Sequence, residues 1–295
     1  MVRLVREQQP AGVELEVLVV DDGSTDRTAD AARAAGASVL SLGAESSGNP
    51  AIARNRGAAA TSGDLIVFLD SDCTPRPGWL AALLGTYCDG VHAVGGSMAL
   101  PPGLSFSARC DYYCGWYNHH ERLRGGFVKH HPPGNLSVRR KTFERTTGFY
   151  ELQPIAFAHE ELYWQAEMLR RGERLYFEPR AAVDHHNRAG IKNLLRRSYR
   201  WGYSAIESKA ETGVARMGWV YRHPWLLLLG SLPIAFLTTT YIVLAWLRAL
   251  RLEPVLMLPL VLAARLCYSA GLVTGGMRWL RTRGGQPLEH RPQWE

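Results

Sequence analysis

"LIVFLDSD", residues 65–72, is an apolar run that ends in two acids. Five apolar residues follow the turn-forming "SGD" at 62–64, which reads as a short buried strand. Asp70 and Asp72 then stand one residue apart at its end. Two carboxylates this close repel each other unless something holds them. A divalent cation does so with oxygen ligands, and it bridges carboxylates to phosphates that they could not touch directly. Aspartates also cap turns and helix starts, and that plainer reading suits Asp21 or Asp26 taken alone. It suits Asp70 and Asp72 less well, because both crowd one strand end.

Upstream, "LEVLVV" at 15–20 is a second apolar run, and it ends in Asp21 and Asp22. "STDRTADAARAAGA" reads as a helix closed by Gly36, and "SVLSL" at 38–42 as a strand. "NPAIARNRGAAATSGD" at 49–64 reads as a helix with Pro50 in its first turn. Downstream come a helix in "RPGWLAALLGTYC" and a strand in "HAVGGSMAL". This alternation predicts an α/β domain with a mostly parallel central sheet. Ligands of such sheets bind beyond the carboxyl ends of the strands, where both acidic pairs fall. Acidic strand ends then point to a nucleotide whose diphosphate is bridged by a metal.

The pattern breaks over 103–133, which reads as a long loop or lid rich in Gly, Tyr, His and Pro. "GNLSVRRKTFERTTGFYE" at 134–151 resumes as strand and helix. "EELYWQAEMLRR" at 160–171 is a helix closed by Gly172, and "RLYFEP" and "AAVDHH" are two short strands. The chain has 295 residues and a formal net charge of +7, with arginine concentrated in 188–222 and the last twenty residues. It lacks the interleaved basic and aromatic pattern of a nucleic-acid module, so no nucleic-acid partner is expected. Five irregularly spaced cysteines suggest a reducing compartment rather than a disulfide framework. Cys110 and Cys114 with His119 and His120 fit a zinc knuckle poorly and read as packing residues. "MVRLVREQQP" has no apolar run of the signal-peptide kind.

The tail differs in character. Pro224 to Leu247 holds no charge, and a second apolar run from Pro254 contains only Arg265. About twenty apolar residues suffice to cross a bilayer. The expectation is a transmembrane hairpin at 224–277, preceded by an amphipathic connector at 188–223 and followed by a basic tail at 278–295. Arginine on the outer flanks (Arg216, Arg222, Arg278, Arg281, Arg283) places both ends, and the domain at 1–187, in the cytoplasm of a multi-pass protein. The connection containing Arg248 and Arg251 would lie on the far side.

"VLVVDDGSTDRT", "AIARNRGAAATSGDLIVFLDSD" and "GNLSVRRKTFERTTGFYE" together resemble the nucleotide-sugar domain of a family 2 glycosyltransferase of GT-A fold, over about residues 13–186. The resemblance implies an inverting transfer of sugar from a nucleoside-diphosphate sugar to a hydroxyl acceptor at the membrane surface, lipid or cell-envelope glycan, with Mg²⁺ or Mn²⁺. It implies nucleotide contacts for Asp21, Asp22, Arg54 and Asp70. It assigns metal contacts to Asp72, Asp70 and His185, with His186 an equally near alternative. Glu161 falls where the family carries its base, usually Asp, and Glu160 and Asn135 fall on the acceptor side. Tyr163 and Glu167 replace the Asp and Arg that usually follow. The family's first strand has no counterpart here, which would expose strand edges. A rival reading is a catalytically silent, membrane-anchored protein that binds a nucleotide or a partner.

Overall fold

The structure is a computed structural model that describes residues 1–43, 48–151, 159–213, 221 and 223–283. A short helix α1 (Val2–Arg6) precedes β1 (Leu18–Asp21), α2 (Thr28–Ala34), β2 (Ser38–Ser41) and α3 (Pro50–Ala59). Asn49 caps α3 by accepting from the Ala51 N–H, with Pro50 in the first turn as the sequence predicts. Next come β3 (Leu65–Leu69), β4 (Cys73–Pro75), α4 (Trp79–Gly85), β5 (Ala93–Ala99), α5 (Phe106–Gly115) and β6 (Gly126–Val128). The domain closes with β7 (Asn135–Arg139), α6 (Arg140–Glu144), α7 (Glu161–Arg170) and β8 (Leu175–His185).

The sheet corrects one expectation. Its strand order is β3-β7-β5-β8-β4, with β6 also on β8. Only β5–β8 is parallel there; β3–β7, β5–β7, β4–β8 and β6–β8 are antiparallel. The sheet is therefore mixed rather than mostly parallel. The alternation of strands and helices continues past Asp72, but β7, which arrives after α5 and β6, inserts between β3 and β5 antiparallel to both. β1 and β2 form a separate parallel pair. Among the described residues β1 pairs only with β2 and β3 only with β7, so each keeps one open edge.

Two apolar layers cover the main sheet. One joins Ala51, Phe68, Leu136, Phe143, Phe149, Trp164 and Met168 from α3, α6 and α7 to the strands. The other joins Trp79, Leu83, Val94, Met98, Cys110 and Tyr113 and runs on into Trp246, Met257 and Val261 of the tail. Cys110 and Cys114 lie in this second layer as packing residues. The region 103–133 is not one long loop. Ser105 caps α5 through the Ala108 N–H, and this buried helix fills much of the region.

The tail begins with α8 (Ile191–Thr212), followed by α9 (Pro224–Leu229), α10 (Ser231–Arg248), α11 (Glu253–Leu256) and α12 (Leu258–Arg283). α10 and α12 are long and apolar enough to cross a membrane. Leu232, Phe236, Leu237 and Leu244 of α10 are exposed. Arg265 turns inward, donating to Thr238 Oγ1 at 3.2 Å and lying 4.0 Å over the Tyr268 ring. The connection between α10 and α12 docks on the α/β domain. Glu253 accepts from the Tyr113 hydroxyl at 2.6 Å and pairs with Arg109. Arg122 donates to the Ala249 carbonyl at 3.0 Å, and Trp246 stacks on His120. A hairpin crossing twice would instead carry this connection about 30 Å from the domain. Arg216, Arg222 and the tail from 284 lie outside the described residues.

Candidate active site

The end of β3 turns directly into β4, and this brings Asp72 against the last residue of β8. Asp72 Oδ1 lies 3.7 Å from His185 Nε2 and 3.9 Å from Cys73 Sγ. These three donors lie within 4.8 Å of one another. Burial, with Asp70 and Asp72 close by, pushes the Cys73 thiol far up, so it stays protonated. A carboxylate and an imidazole, with a neutral thiol behind them, form a set that fits a hard to borderline divalent cation. His186, the neighbouring candidate, is directed elsewhere: its Nε2 lies 3.1 Å from Thr74 Oγ1.

Asp70 belongs to a second group. Its Oδ1 accepts from Arg54 Nη2 at 2.8 Å, and its backbone N–H donates to the Gly134 carbonyl at 3.1 Å. A Cβ on Gly134 would stand 2.7 Å from Asp70 Oδ2, so a larger residue there would push this carboxylate from its place. Arg54 also pairs with Glu160 through its other terminal nitrogen. One guanidinium therefore ties the β3 end to the start of α7. Burial opposes its charge, but Asp70 and Glu160 more than offset this and hold it cationic. Burial raises the Glu160 carboxyl, with Arg54 opposing.

Glu161, one residue on, is buried and takes a different partner. His130 Nε2 lies 2.6 Å from its Oε1. A carboxylate only accepts, so the imidazole donates here. Burial works against the Glu161 charge, yet the hydrogen bond and charge of His130, helped by His159, hold its carboxyl below the ordinary range. The His119 ring centroid lies 6.3 Å from that of His130 and 5.0 Å from that of His131. Burial keeps His119 and His131 neutral and pushes His131 down to about 4. The sequence singles out neither His130 nor its role; "KHHPP" at 129–133 falls within the stretch read as a loop or lid.

Asn135 is not available to an acceptor. Its side chain accepts from Trp79 Nε1 at 2.8 Å and donates to the carbonyls of Ser97 and Ala181 at 3.1 and 2.9 Å. It is wholly buried in the sheet core. Asp21, at the end of β1, accepts from the Ser24 N–H at 3.0 Å; hydrogen bonds from Ser24 hold it below the usual carboxylate range. Asp21 and Asp22 sit on the β1–β2 pair, apart from the main sheet. The structure thus groups Asp72 with His185, Asp70 with Arg54 and Glu160, and Glu161 with His130.

The glycosyl transferase family 2 profile matches residues 1–148. A pre-mycofactocin glycosyltransferase of Mycobacterium tuberculosis is 30% identical over 327 aligned residues, covering 94% of this chain and 69% of that protein. A glucosyl-3-phosphoglycerate synthase of Mycolicibacterium smegmatis is 43% identical over 102 residues, 32% of this chain and 34% of the synthase. Among solved structures, a mannosyltransferase of Pyrobaculum calidifontis in complex with GDP-Man and Mn²⁺ superposes with a TM-score of 0.56. It is 18% identical, covers 92% of this chain and 81% of its own, and has the same fold.

Proposed function

The chain belongs to glycosyltransferase family 2, and from that premise we propose that it transfers a sugar with inversion from a nucleoside-diphosphate sugar to an acceptor hydroxyl at a membrane surface. The observation that carries this reading is the bridge made by Arg54. It joins Asp70, on the side of the expected donor, to Glu160, next to the buried and ionised Glu161. Donor and acceptor machinery are thereby held in one charged frame.

In this reading Asp21 and Asp22 contact the nucleoside, and Asp72 and His185 hold the cation. The imidazole favours Mn²⁺ over Mg²⁺, which prefers oxygen ligands throughout. The bound cation would neutralise charge developing on the departing diphosphate. Glu161 Oε2 takes the proton from the acceptor hydroxyl while Oε1 stays with His130. The acceptor oxygen then bonds to the anomeric carbon as the bond from that carbon to the diphosphate oxygen breaks, on the opposite face. Glu161 opens α7, where the free N–H groups and the positive end of the helix dipole favour its ionised form. Glu is one methylene longer than the Asp usual in the family, and its pairing with His130 is consistent with a base held back to the right reach.

The exposed apolar face of α10 supports contact with lipid, with the 249–253 connection kept on the side of the catalytic domain. A cytoplasmic domain agrees with a cytosolic supply of nucleotide sugars. Lipid-linked and cell-envelope acceptors fit a site beside such a surface.

The test uses the full-length chain in detergent with Mn²⁺ and a panel of UDP- and GDP-sugars. Glu161→Gln is expected to lower transfer by a factor of about 10² to 10⁴ while donor affinity stays near wild type. Asp72→Asn is expected to remove the Mn²⁺ dependence of nucleotide binding. Wild-type turnover in Glu161→Gln, with loss in Glu160→Gln, would reassign the base within the pair.

A further inference from the structure

We propose that Arg197, Asp111 and Asn187 form a positioning relay that aims the His185 imidazole at the cation, so that the docking of α8 is felt at the metal site. The proposal rests on the metal reading of Asp72 and His185 given above.

The relay follows from which atoms donate. Arg197 on α8 pairs with Asp111 Oδ1 at 2.5 Å. Asp111, on α5, accepts from Asn187 Nδ2 at 2.8 Å through its other oxygen. Asn187 Oδ1 lies 2.9 Å from His185 Nδ1. A carboxylate only accepts, so the Asn187 atom facing Asp111 is the amide nitrogen. The atom facing His185 is then the carbonyl oxygen, which also only accepts. His185 Nδ1 must therefore carry the proton. Its Nε2, 3.7 Å from Asp72 Oδ1, is left with a free lone pair beside that carboxylate. The order of donors is set from the Arg197 end, and it yields the tautomer a metal ligand requires.

The parts are sheltered. Asp111, Asn187 and His185 are all buried, and Trp116 packs 4.8 Å from the His185 ring. Arg197 lies 4.6 Å over Trp201 of its own helix, which limits its swing. Since α8 packs along α12, the helix that supplies Arg197 also belongs to the apolar tail. A tail lifted from the domain would take the guanidinium with it, and Asp111 would lose its counter-charge. None of the three residues needs to touch nucleotide or sugar.

Outer partners of metal-bound histidines typically contribute 10- to 100-fold to affinity. The experiment measures Mn²⁺ binding to the full chain by EPR, together with the modulation from a directly bound imidazole nitrogen. Asn187→Ala is expected to weaken Mn²⁺ binding about 10- to 100-fold and to lose the nitrogen modulation, with nucleotide affinity in EDTA unchanged. Arg197→Met should weaken binding, and Arg197→Lys, which keeps the charge, should recover part of the loss. Asp111→Asn, nearly isosteric, provides the same reading should Asn187→Ala fold poorly. Mn²⁺ binding within twofold of wild type and an intact nitrogen modulation in Asn187→Ala or Asp111→Asn would overturn the relay alone. Absence of nitrogen modulation in the wild type, with His185→Ala binding Mn²⁺ equally well, would instead overturn the metal reading beneath it.

Discussion

Glu161 and His130 show what a single contact does to the proposed base. A buried carboxylate standing alone would be raised by desolvation. Here His130 donates at 2.6 Å and the group sits below its ordinary value of 4.5. A depressed carboxyl stays ionised through mildly acid pH. Its contribution to stability is present above 4.5 and is lost as pH falls through the folded-state value. The groups facing the pair are His119 and His131 beside His130, and Glu160, His159 and Arg54 beside Glu161. In His130→Ala burial becomes the dominant influence, so the acid limb of kcat should move to higher pH. The loss of rate should be larger at about pH 5.5 than at about pH 8, and a profile displaced equally at all pH would show that His130 acts only on structure. His130 lies 31 residues before Glu161, and no spacing rule links them.

Among the elements, the pairing of α8 with α12 depends on residues too small to notice in a hydropathy reading. A Cβ on Gly202 would overlap the Tyr268 carbonyl, and one on Gly271 would overlap the Tyr199 carbonyl. The two backbones are therefore in near contact at the crossing, and Tyr199 hydroxyl meets Thr274 Oγ1 at 2.9 Å beside it. Gly271→Ala forces backbone atoms apart and should destabilise by about 1–3 kcal/mol, seen as a lower Tm in detergent. Gly85→Ala, at the end of α4 with open space around it, should be neutral or raise stability by about 0.4–1 kcal/mol. Equal responses of the two variants would remove close approach from the account of α8–α12. The amphipathic character of α8 was readable from its sequence; its partner was not, because small residues mark a close crossing only once the facing helix is known.

At the scale of the whole molecule, the connection between the two long apolar helices lies against the domain. Lengths and charges suggested a hairpin whose connection faces away from the catalytic domain. Instead Ala249 and Glu253 are bonded to Arg122, Arg109 and Tyr113 of the domain, and the apolar core continues from Trp79 to Val261. Leu250, 82% exposed on that connection, is the position to probe. With the other cysteines replaced by serine, Leu250→Cys should react with membrane-impermeant reagents from the same side as Cys88, an exposed cysteine of the catalytic domain. Reaction from opposite sides would establish the crossing hairpin.

The chain's local chemistry was settled by sequence alone. Acidic strand ends, the Asn49–Pro50 helix start and the ordered motifs depend on residues close together in the chain, where spacing and propensity act directly. The GT-A class follows from those motifs for the same reason. Tertiary structure decided that His185 rather than His186 lies beside Asp72, that Asn135 is buried in the core, that His130 partners Glu161, that the sheet is mixed in direction and that residues 249–253 dock on the domain. Each of these is a contact between segments far apart in sequence. A side chain's partner, and with it its charge state and tautomer, exists only once the chain has closed and water has been excluded around it.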